Sequence, residues 1–148
     1  MRFQPDSYSC GIFAVLNAAD ILGKRLRTAS IKRYSQTSKK FGTSELGIKR
    51  SLLNHDLNFY EFEVNDFEVA LRILETASHE KKPVILCVDK WDHWLVFYGF
   101  DEKKRFLFLD SLNTSRNKRN NGKRILNKTR FKKFWCNKGT YYGIVVFG

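Results

Sequence analysis

Three short apolar runs follow one another in the second half of the chain, over residues 84–88, 94–100 and 106–109, with polar turns between them. Each run is too short for a buried helix, and its length and composition are typical of a core β-strand. Residues 101–104 are few enough to join the second run to the third as an antiparallel hairpin. Residues 141–147 predict a last strand. This part of the chain therefore favours an antiparallel sheet.

Helical periodicity dominates the first half. From Cys10 to Gly23, apolar residues recur at intervals of three and four, and Gly23 suits the left-handed conformation that ends many helices. Thr43 predicts the N-terminal cap of a later helix, and the pair Asn65 and Glu68 has the spacing of a capping box. We expect helices over residues 9–23, 30–38, 43–54, 65–79 and 130–136, and a strand over 58–64. Helices that precede strands indicate the α+β class.

The length of 148 residues and the 43% hydrophobic content predict one domain over residues 1–148 with a packed core. No apolar run is long enough to span a bilayer, and the chain starts without a charged-then-apolar leader. Three widely spaced cysteines, Cys10, Cys87 and Cys136, fit neither a disulfide framework nor a zinc site. We therefore expect reduced thiols, no cofactor, no membrane partner and a cytoplasmic location, with secretion into another cell as the alternative.

Most of the net charge of +12 lies in residues 111–138, which contain ten basic residues and no acidic one. The stretch 113–128 is rich in Asn, Lys and Arg, so the segment is predicted to be a basic loop or insertion. A solvated loop, an acidic protein partner and nucleic acid are all compatible with this charge. Phe131, Phe134 and Trp135 are available for base stacking, whereas no zinc-finger or helix-turn-helix pattern supports specific readout.

The helix predicted to begin near residue 10 has a cysteine, Cys10, at its N-terminus. The first N–H groups of a helix lack intrahelical acceptors and carry a partial positive charge, so they stabilise a thiolate. A nucleophilic thiolate needs a general base and a group that orients the base. His93 directly precedes the apolar run at 94–100, and Asp110 directly follows the run at 106–109. The sequence therefore predicts Cys10 as nucleophile, His93 as base and Asp110 as orienter.

The predicted hairpin brings His93 and Asp110 to one face of the sheet. They are direct cross-strand partners if the turn holds two residues and diagonal neighbours if it holds four, at most about 7–8 Å apart. An imidazole and a carboxylate can meet over that distance. Asp92 is a second candidate partner for His93, but adjacent strand residues point to opposite faces. Trp94 is placed to keep water away from the imidazole.

Attack of a thiolate on a carbonyl creates an oxyanion, which needs hydrogen-bond donors in fixed positions. Two donors are predicted: the backbone N–H of Cys10 and the side-chain amide of Gln4, which lies six residues upstream on a segment bent by Pro5. Gly11 has no side chain to obstruct a substrate backbone. Only three residues precede Gln4, so we expect no inhibitory pro-segment.

The residues Gln4, Cys10-Gly11, His93 and Asp110, in that order, resemble the papain-like cysteine peptidases, most closely the C39-type bacterial peptidases, which process double-glycine leader peptides. Further similarity lies in Gly42-Thr43-Ser44, Lys82-Pro83-Val84-Ile85 and His93-Trp94-Leu95-Val96. The resemblance implies a papain-like fold, in which an N-terminal helical lobe with the nucleophile helix packs on an antiparallel sheet. It also implies a catalytic set of Cys10, His93, Asp110 and Gln4, with Gln4 at the oxyanion hole.

Local similarity to the Ulp-type proteases of ubiquitin-like modifiers occurs at His93-Trp94 and Asp110-Ser111-Leu112, although the catalytic residues of those proteases follow a different order. Both families favour glycine-rich cleavage sites. The resemblance implies cleavage of a peptide or isopeptide bond, through an acyl-thioester on Cys10, in a protein or peptide substrate. Deamidases and transferases use the same thiol chemistry. The alternative functions are a basic nucleic-acid-binding protein and a non-catalytic papain-like protein-interaction module.

Overall fold

The computed structural model describes residues 1–148 as six helices and six strands. The helices are α1 (Cys10–Ile21), α2 (Thr28–Ser35), α3 (Glu45–Leu53), α4 (Phe67–His79), α5 (Ser115–Arg119) and α6 (Lys128–Trp135). The strands are β1 (Asn58–Val64), β2 (Val84–Val88), β3 (His93–Phe100), β4 (Phe106–Leu109), β5 (Lys123–Leu126) and β6 (Tyr141–Phe147). No helix is long and apolar enough to cross a membrane.

The six strands form one antiparallel sheet with the order β1-β6-β2-β3-β4-β5. The last strand, β6, lies between β1 and β2. It pairs with β1 along its whole length, from Asn58 opposite Phe147 to Val64 opposite Tyr141. The strands predicted over 58–64 and 141–147 agree with β1 and β6 residue for residue. A strand from the mainly helical first half therefore closes one edge of the sheet.

Helices cover both faces of the sheet. α1, α2 and α3 pack on one face, to which Ile85, Val96 and Ile144 contribute apolar side chains. α4 and α6 pack on the other face, against Phe97 and Phe108. Because strand side chains alternate between faces, a strand covered on both sides is apolar throughout, and β2 is buried at all five positions. The predicted α+β fold, with the Cys10 helix packed on an antiparallel sheet, is confirmed, and α4 and α6 add a second helical layer.

α1 is the central helix of its layer. Its first ten residues, from Cys10 to Ala19, are buried, because the helix contacts β3 on one side and α2 and α3 on the others. A helix enclosed in this way is apolar around its circumference rather than along one stripe. The helix ends at Ile21, and Gly23 follows with a left-handed φ of 80°, as the sequence predicts. Burial of the whole helix fixes the position of its first residue, Cys10.

The helix caps differ in detail from the predicted ones. Ser44, not Thr43, is the N-cap of α3, and its side chain accepts a hydrogen bond from the Gly47 N–H. Asp66, not Asn65, is the N-cap of α4, and its carboxylate accepts from the N–H groups of Glu68 and the next residue. In both cases a good capping side chain stands next to the predicted one, so the helix begins one or two residues later than the sequence pattern indicates.

The prediction of a basic loop over 111–138 is wrong for residues 115–126, which contain α5 and β5, and β5 pairs antiparallel with β4 as an edge strand of the sheet. The helix predicted over 130–136 corresponds to α6. Asn121 and Gly122 turn the chain into β5 with φ of 52° and 75°, values that asparagine and glycine adopt most readily. β5 has only four residues and two of them are charged. Because β5 is charged and too short to show alternating polar and apolar residues, the sequence pattern does not indicate this strand.

Gly47 is the contact point between α2 and α3. A Cβ at this position meets the backbone oxygen of Ser35 at 2.1 Å. We expect Gly47→Ala to destabilise the protein by about 1–3 kcal/mol, because the two helices must separate, and this outweighs the helix propensity gained. Urea unfolding measures the difference. Leu53→Ala, at an exposed position of the same helix, is the control and should change stability by less than about 1 kcal/mol. Equal stability of Gly47→Ala and the parent protein contradicts the packing argument.

Candidate active site

Cys10 is the first residue of α1, at the base of a cavity of about 210 Å³. The N-cap residue Ser9 makes no side-chain cap bond, and the first turn holds no acidic residue. The Ser9 hydroxyl instead donates to the Asp6 carboxylate at 2.6 Å. The first-turn N–H groups and the positive end of the helix dipole lie beside the thiol, and the nearest carboxylate, that of Asp6, is bonded to the N-cap residue. The position of Cys10 at the start of a helix is the one expected from the sequence.

His93 and Asp110 meet directly. His93 Nε2 and Asp110 Oδ1 are 2.8 Å apart, and both side chains are buried. The connection between β3 and β4 spans five residues, and a bulge between Phe97 and Gly99 shifts the register. The extra residue of the bulge compensates for the odd number of residues in the loop, so that Val96 lies opposite Leu109. With this register, Asp110 lies diagonally across from His93. Of the two predicted arrangements, the diagonal one is present.

Asp110 is fully buried and accepts further hydrogen bonds from the Leu112 N–H at 3.1 Å and from Arg124 Nη1 at 2.9 Å. Burial alone raises the pKa of this carboxyl, but the hydrogen bonds from His93, Leu112 and Arg124 hold its pKa at about 2. The carboxylate is therefore charged at neutral pH. Arg124 lies on β5 and stacks over the Phe134 ring at 5.0 Å, so this side chain is held in place on both sides.

Two counteracting effects set the charge of His93. Burial lowers its pKa, whereas the hydrogen bond to Asp110 and the nearby Cys10 side chain raise it, with a net value of about 9. Because Nε2 is bonded to Asp110, Nδ1 is the ring nitrogen left for the Cys10 thiol. The structure therefore places a ring that is protonated at neutral pH next to the Cys10 sulfur, at the N-terminus of α1.

Gln4 is joined to the residue that follows Asp110. Its backbone N–H donates to the Ser111 carbonyl at 2.8 Å, and the Ser111 hydroxyl donates to Gln4 Oε1 at 2.7 Å. Gln4 Nε2 donates one hydrogen to the Asp6 carbonyl at 2.8 Å, and its second amide hydrogen has no acceptor. Gln4 has no exposed surface. The amide is therefore held within the protein, with one hydrogen-bond donor left over.

Aromatic residues line the cavity in front of Cys10. Phe41, at the tip of the hairpin before α3, is 80% exposed, and Trp91 is 40% exposed on another side. Trp94 lies deeper and donates its indole N–H to the Thr43 carbonyl at 2.8 Å, which ties this hairpin to the sheet. The predicted water-excluding Trp94 is 5% exposed and lines the cavity. Ser7, Lys39, Lys40 and Asp92 complete the lining, so the cavity combines aromatic walls with polar and charged side chains.

Gly11 has a different role from the one expected from the sequence. A Cβ at this position meets the Thr43 side chain at 2.5 Å, so the missing side chain lets α1 approach the hairpin before α3. Gly11 is itself buried. The close approach that requires glycine is therefore packing within the protein, and it places the Thr43 carbonyl where Trp94 can bond to it.

The turn before His93 has an unusual backbone. Asp89, Lys90 and Trp91 all have positive φ, at 53°, 57° and 66°. Such a left-handed run of non-glycine residues costs about 1–2 kcal/mol per residue. The Asn137 side chain holds the turn: its Oδ1 accepts from the Trp91 N–H at 2.8 Å, and its Nδ2 donates to the Cys87 carbonyl at 3.1 Å. This turn places Trp91 at the mouth of the cleft.

Sequence reasoning did not identify Arg124 or Ser111 as parts of the site. Both act on predicted residues, Arg124 on Asp110 and Ser111 on Gln4. The Asn121-Gly122 pair, a common hairpin turn, is the signal from which β5 and Arg124 could have been inferred. The structure contains no group of three or more His, Cys, Asp or Glu residues that could hold a metal ion. Burial raises the pKa of the Cys87 thiol, which therefore remains protonated within the core.

The sequence profile of the peptidase C39 family matches residues 1–140 of the chain. The chain belongs to the peptidase C39 family. It is therefore a cysteine peptidase by family, and the resemblance inferred from Gln4, Cys10, His93 and Asp110 is confirmed. No curated protein matches the chain at a significant level.

Solved structures of C39 peptidase domains share the fold. The peptidase domain of Streptococcus ComA, a bifunctional ABC transporter involved in quorum sensing, superposes with a TM-score of 0.74 at 21% identity, over 98% of this chain and 95% of that chain. A double-glycine-motif protease from an AMS/PCAT transporter, in complex with the leader peptide, gives 0.69 at 14% identity, over 97% and 87%. The peptidase domain of Streptococcus mutans ComA gives 0.61 at 19% identity, over 100% and 98%.

The charge of His93 can be measured by NMR titration of its ring. We expect His93 to titrate near pH 9, and at a lower pH in Cys10→Ala, because the Cys10 side chain is one cause of the raised pKa. Cys136→Ala, which does not touch His93, is the control and should leave the titration unchanged. An unchanged His93 titration in Cys10→Ala contradicts the pairing. Since the folded-state pKa lies above the ordinary value of 6.5, protonation of His93 stabilises the fold fully below about pH 6.5, and this contribution is lost as pH rises through about 9.

Proposed function

We propose that this C39 peptidase cleaves a peptide bond at a glycine-rich site through an acyl-thioester on Cys10. One observation carries the proposal: the His93–Asp110 hydrogen bond of 2.8 Å is placed beside a cysteine that opens a buried helix. The same three residue types perform nucleophilic catalysis when a base is oriented by a third group. Cys10 acts as nucleophile, His93 as acid and base, and Asp110 as orienting residue.

The reaction has two steps. The Cys10 thiolate attacks the carbonyl carbon of the scissile bond, and His93 donates its proton to the leaving amine as the carbon–nitrogen bond breaks. An acyl-thioester on Cys10 remains. A water molecule then attacks the thioester carbonyl while His93 accepts its proton, and the carbon–sulfur bond breaks to release the carboxylic acid and regenerate the thiolate. The raised pKa of His93 keeps the ring protonated for the first step at neutral pH.

The oxyanion of each step needs donors. The backbone N–H of Cys10 and the second amide hydrogen of Gln4 fill this role, since Gln4 Nε2 has only the Asp6 carbonyl as an acceptor. Two hydrogen bonds fix the plane of the amide: Oε1 accepts from the Ser111 hydroxyl, and Nε2 donates to the Asp6 carbonyl. A donor held in place before the reaction loses no free energy by reorganising during it.

Arg124 has a positioning role. It bonds to Asp110 Oδ2, whereas His93 bonds to Oδ1, so the two oxygens of the carboxylate have different partners. This arrangement fixes the carboxylate plane and, through it, the orientation of the His93 ring. Ring orientation decides whether Nδ1 faces the sulfur of Cys10.

The small volume of the cleft favours a small residue at the cleavage site. The cavity of about 210 Å³ is lined by the aromatic side chains of Tyr8, Phe41 and Trp91 together with polar residues. A substrate backbone that must pass between such walls is admitted most easily where its own side chains are absent, as they are at glycine. The similar protease solved in complex with the leader peptide is named a double-glycine-motif protease, which is consistent with this preference.

Activity assays test the proposed catalytic set. We expect Cys10→Ala to abolish cleavage of a panel of synthetic Gly-Gly-containing peptides, monitored by mass spectrometry, while circular dichroism remains that of the parent protein. Asp110→Ala should retain more activity than His93→Ala, because Asp110 acts through the ring. Cys87→Ala, at the other buried thiol near the sheet, is the control for loss of a cysteine. Cleavage by Cys10→Ala, or equal activity of Asp110→Ala and the parent, contradicts the assignment.

The proposed role of Gln4 has a matched control in Ser111. Gln4→Ala removes the donor, and we expect kcat to fall about 100–1,000-fold with little change in KM, since the oxyanion exists only in the transition state. Ser111→Ala removes the hydrogen bond to Gln4 Oε1 but keeps the amide donor, so it should reduce kcat much less. Steady-state kinetics on the best peptide of the panel measures both. A larger loss in Ser111→Ala than in Gln4→Ala rules out the donor role of Gln4.

A further inference from the structure

The basic segment forms a second cavity, separate from the cleft at Cys10. This cavity has a volume of about 480 Å³ and lies where α5, β5 and α6 meet. Four basic residues line it: Arg116 from α5, Lys123 and Arg124 from β5, and Arg130 from α6. No acidic residue lines it. The four side chains come from three different elements of the basic segment, and the fold brings them to one cavity.

Three of the four cations have no carboxylate partner. Arg124 is paired with Asp110, but Arg116, Lys123 and Arg130 form no salt bridge in the protein. Like charges that converge on one concave site repel one another, and an anion bound between them relieves the repulsion. Asn120 adds an amide to the lining. We propose that this cavity binds a compact polyphosphate anion.

The charge density of the site favours a polyphosphate over an extended acidic chain. Guanidinium groups pair with phosphate oxygens through two parallel hydrogen bonds, and three arginines line this one cavity. A di- or triphosphate group carries several negative charges within such a volume. An acidic peptide delivers at most one charge per residue, about 3.3–3.6 Å apart when extended, and brings backbone polar groups that also need partners.

The lining also argues against nucleic acid. Binding of single-stranded nucleic acid relies on exposed aromatic faces on which bases stack. No aromatic residue lines this cavity, and the nearby Phe134 ring is covered by the Arg124 guanidinium at 5.0 Å. Phe131 and Trp135, the other aromatic residues that the sequence offers for stacking, are completely buried in the core. The site has the cations to bind phosphate but no surface to bind bases.

Isothermal titration calorimetry with sodium tripolyphosphate tests the proposal. We expect saturable binding with one site per chain, weakened by added salt. The double variant Arg116→Gln with Arg130→Gln should bind at least about tenfold more weakly, since two charge-assisted contacts are lost. The control is Arg119→Gln with Arg72→Gln, which removes the same net charge at exposed arginines outside the cavity. It should change the affinity by less than about twofold.

Three results would overturn the proposal: no binding by the parent protein at low salt, equal weakening in the two double variants, or tighter binding of a Glu-rich peptide or a short oligothymidylate than of tripolyphosphate. The third result would assign the cavity to an acidic peptide or an oligonucleotide, whichever binds more tightly than tripolyphosphate. If a variant fails to fold, NMR of the parent protein tests the proposal instead. Tripolyphosphate should shift the side-chain Nε–H resonances of Arg116 and Arg130. None of these measurements depends on peptidase activity. Absence of tripolyphosphate binding would therefore not contradict the proposed role of Cys10, which the activity assays test separately.

Discussion

The buried carboxylate of Asp110 is the group on which the site depends. An unpaired charge in this position would be strongly destabilising, so the fold must bring donors to it. Three arrive from different places: the His93 ring from β3, the Leu112 N–H from the next residues of the chain, and the Arg124 guanidinium from β5. The pairing of β5 with β4 therefore places a donor on Asp110 as well as extending the sheet. Because all three donors bond to the same carboxylate, loss of any one donor affects the other two.

The segment before α1 connects this carboxylate to the helical layer. Gln4 pairs with Ser111, next to Asp110, while Arg2 donates to both carboxylate oxygens of Asp20 on α1, at 3.0 and 3.2 Å. Asp6 then shapes the short path to Cys10 by accepting from the Tyr8 and Ser9 N–H groups. The first nine residues thus connect the end of β4 to α1, and their hydrogen bonds add to the packing of α1 in fixing the position of Cys10.

The sequence predicted those parts of the molecule that depend on local pattern. The position of Cys10 at a helix start and the meeting of His93 with Asp110 followed from apolar periodicity and from the two-residue repeat of a strand. The compensation between the five-residue loop and the bulge near Gly99 was not predictable, because two irregularities cancel and only tertiary packing selects them. Arg124 was missed because its strand is charged and short. The packing role of Gly11 depends on Thr43, which is remote in sequence, so local pattern could not indicate it.

The left-handed turn at residues 89–91 makes the entrance of the cleft a strained element, held by one asparagine from the far end of the chain. Glycine at position 89 or 90 would relieve the left-handed strain, but it would also loosen the backbone that positions Trp91. Asn137 reaches this turn without contacting Cys10, so the entrance of the cleft and the residues around the sulfur are held by separate sets of hydrogen bonds.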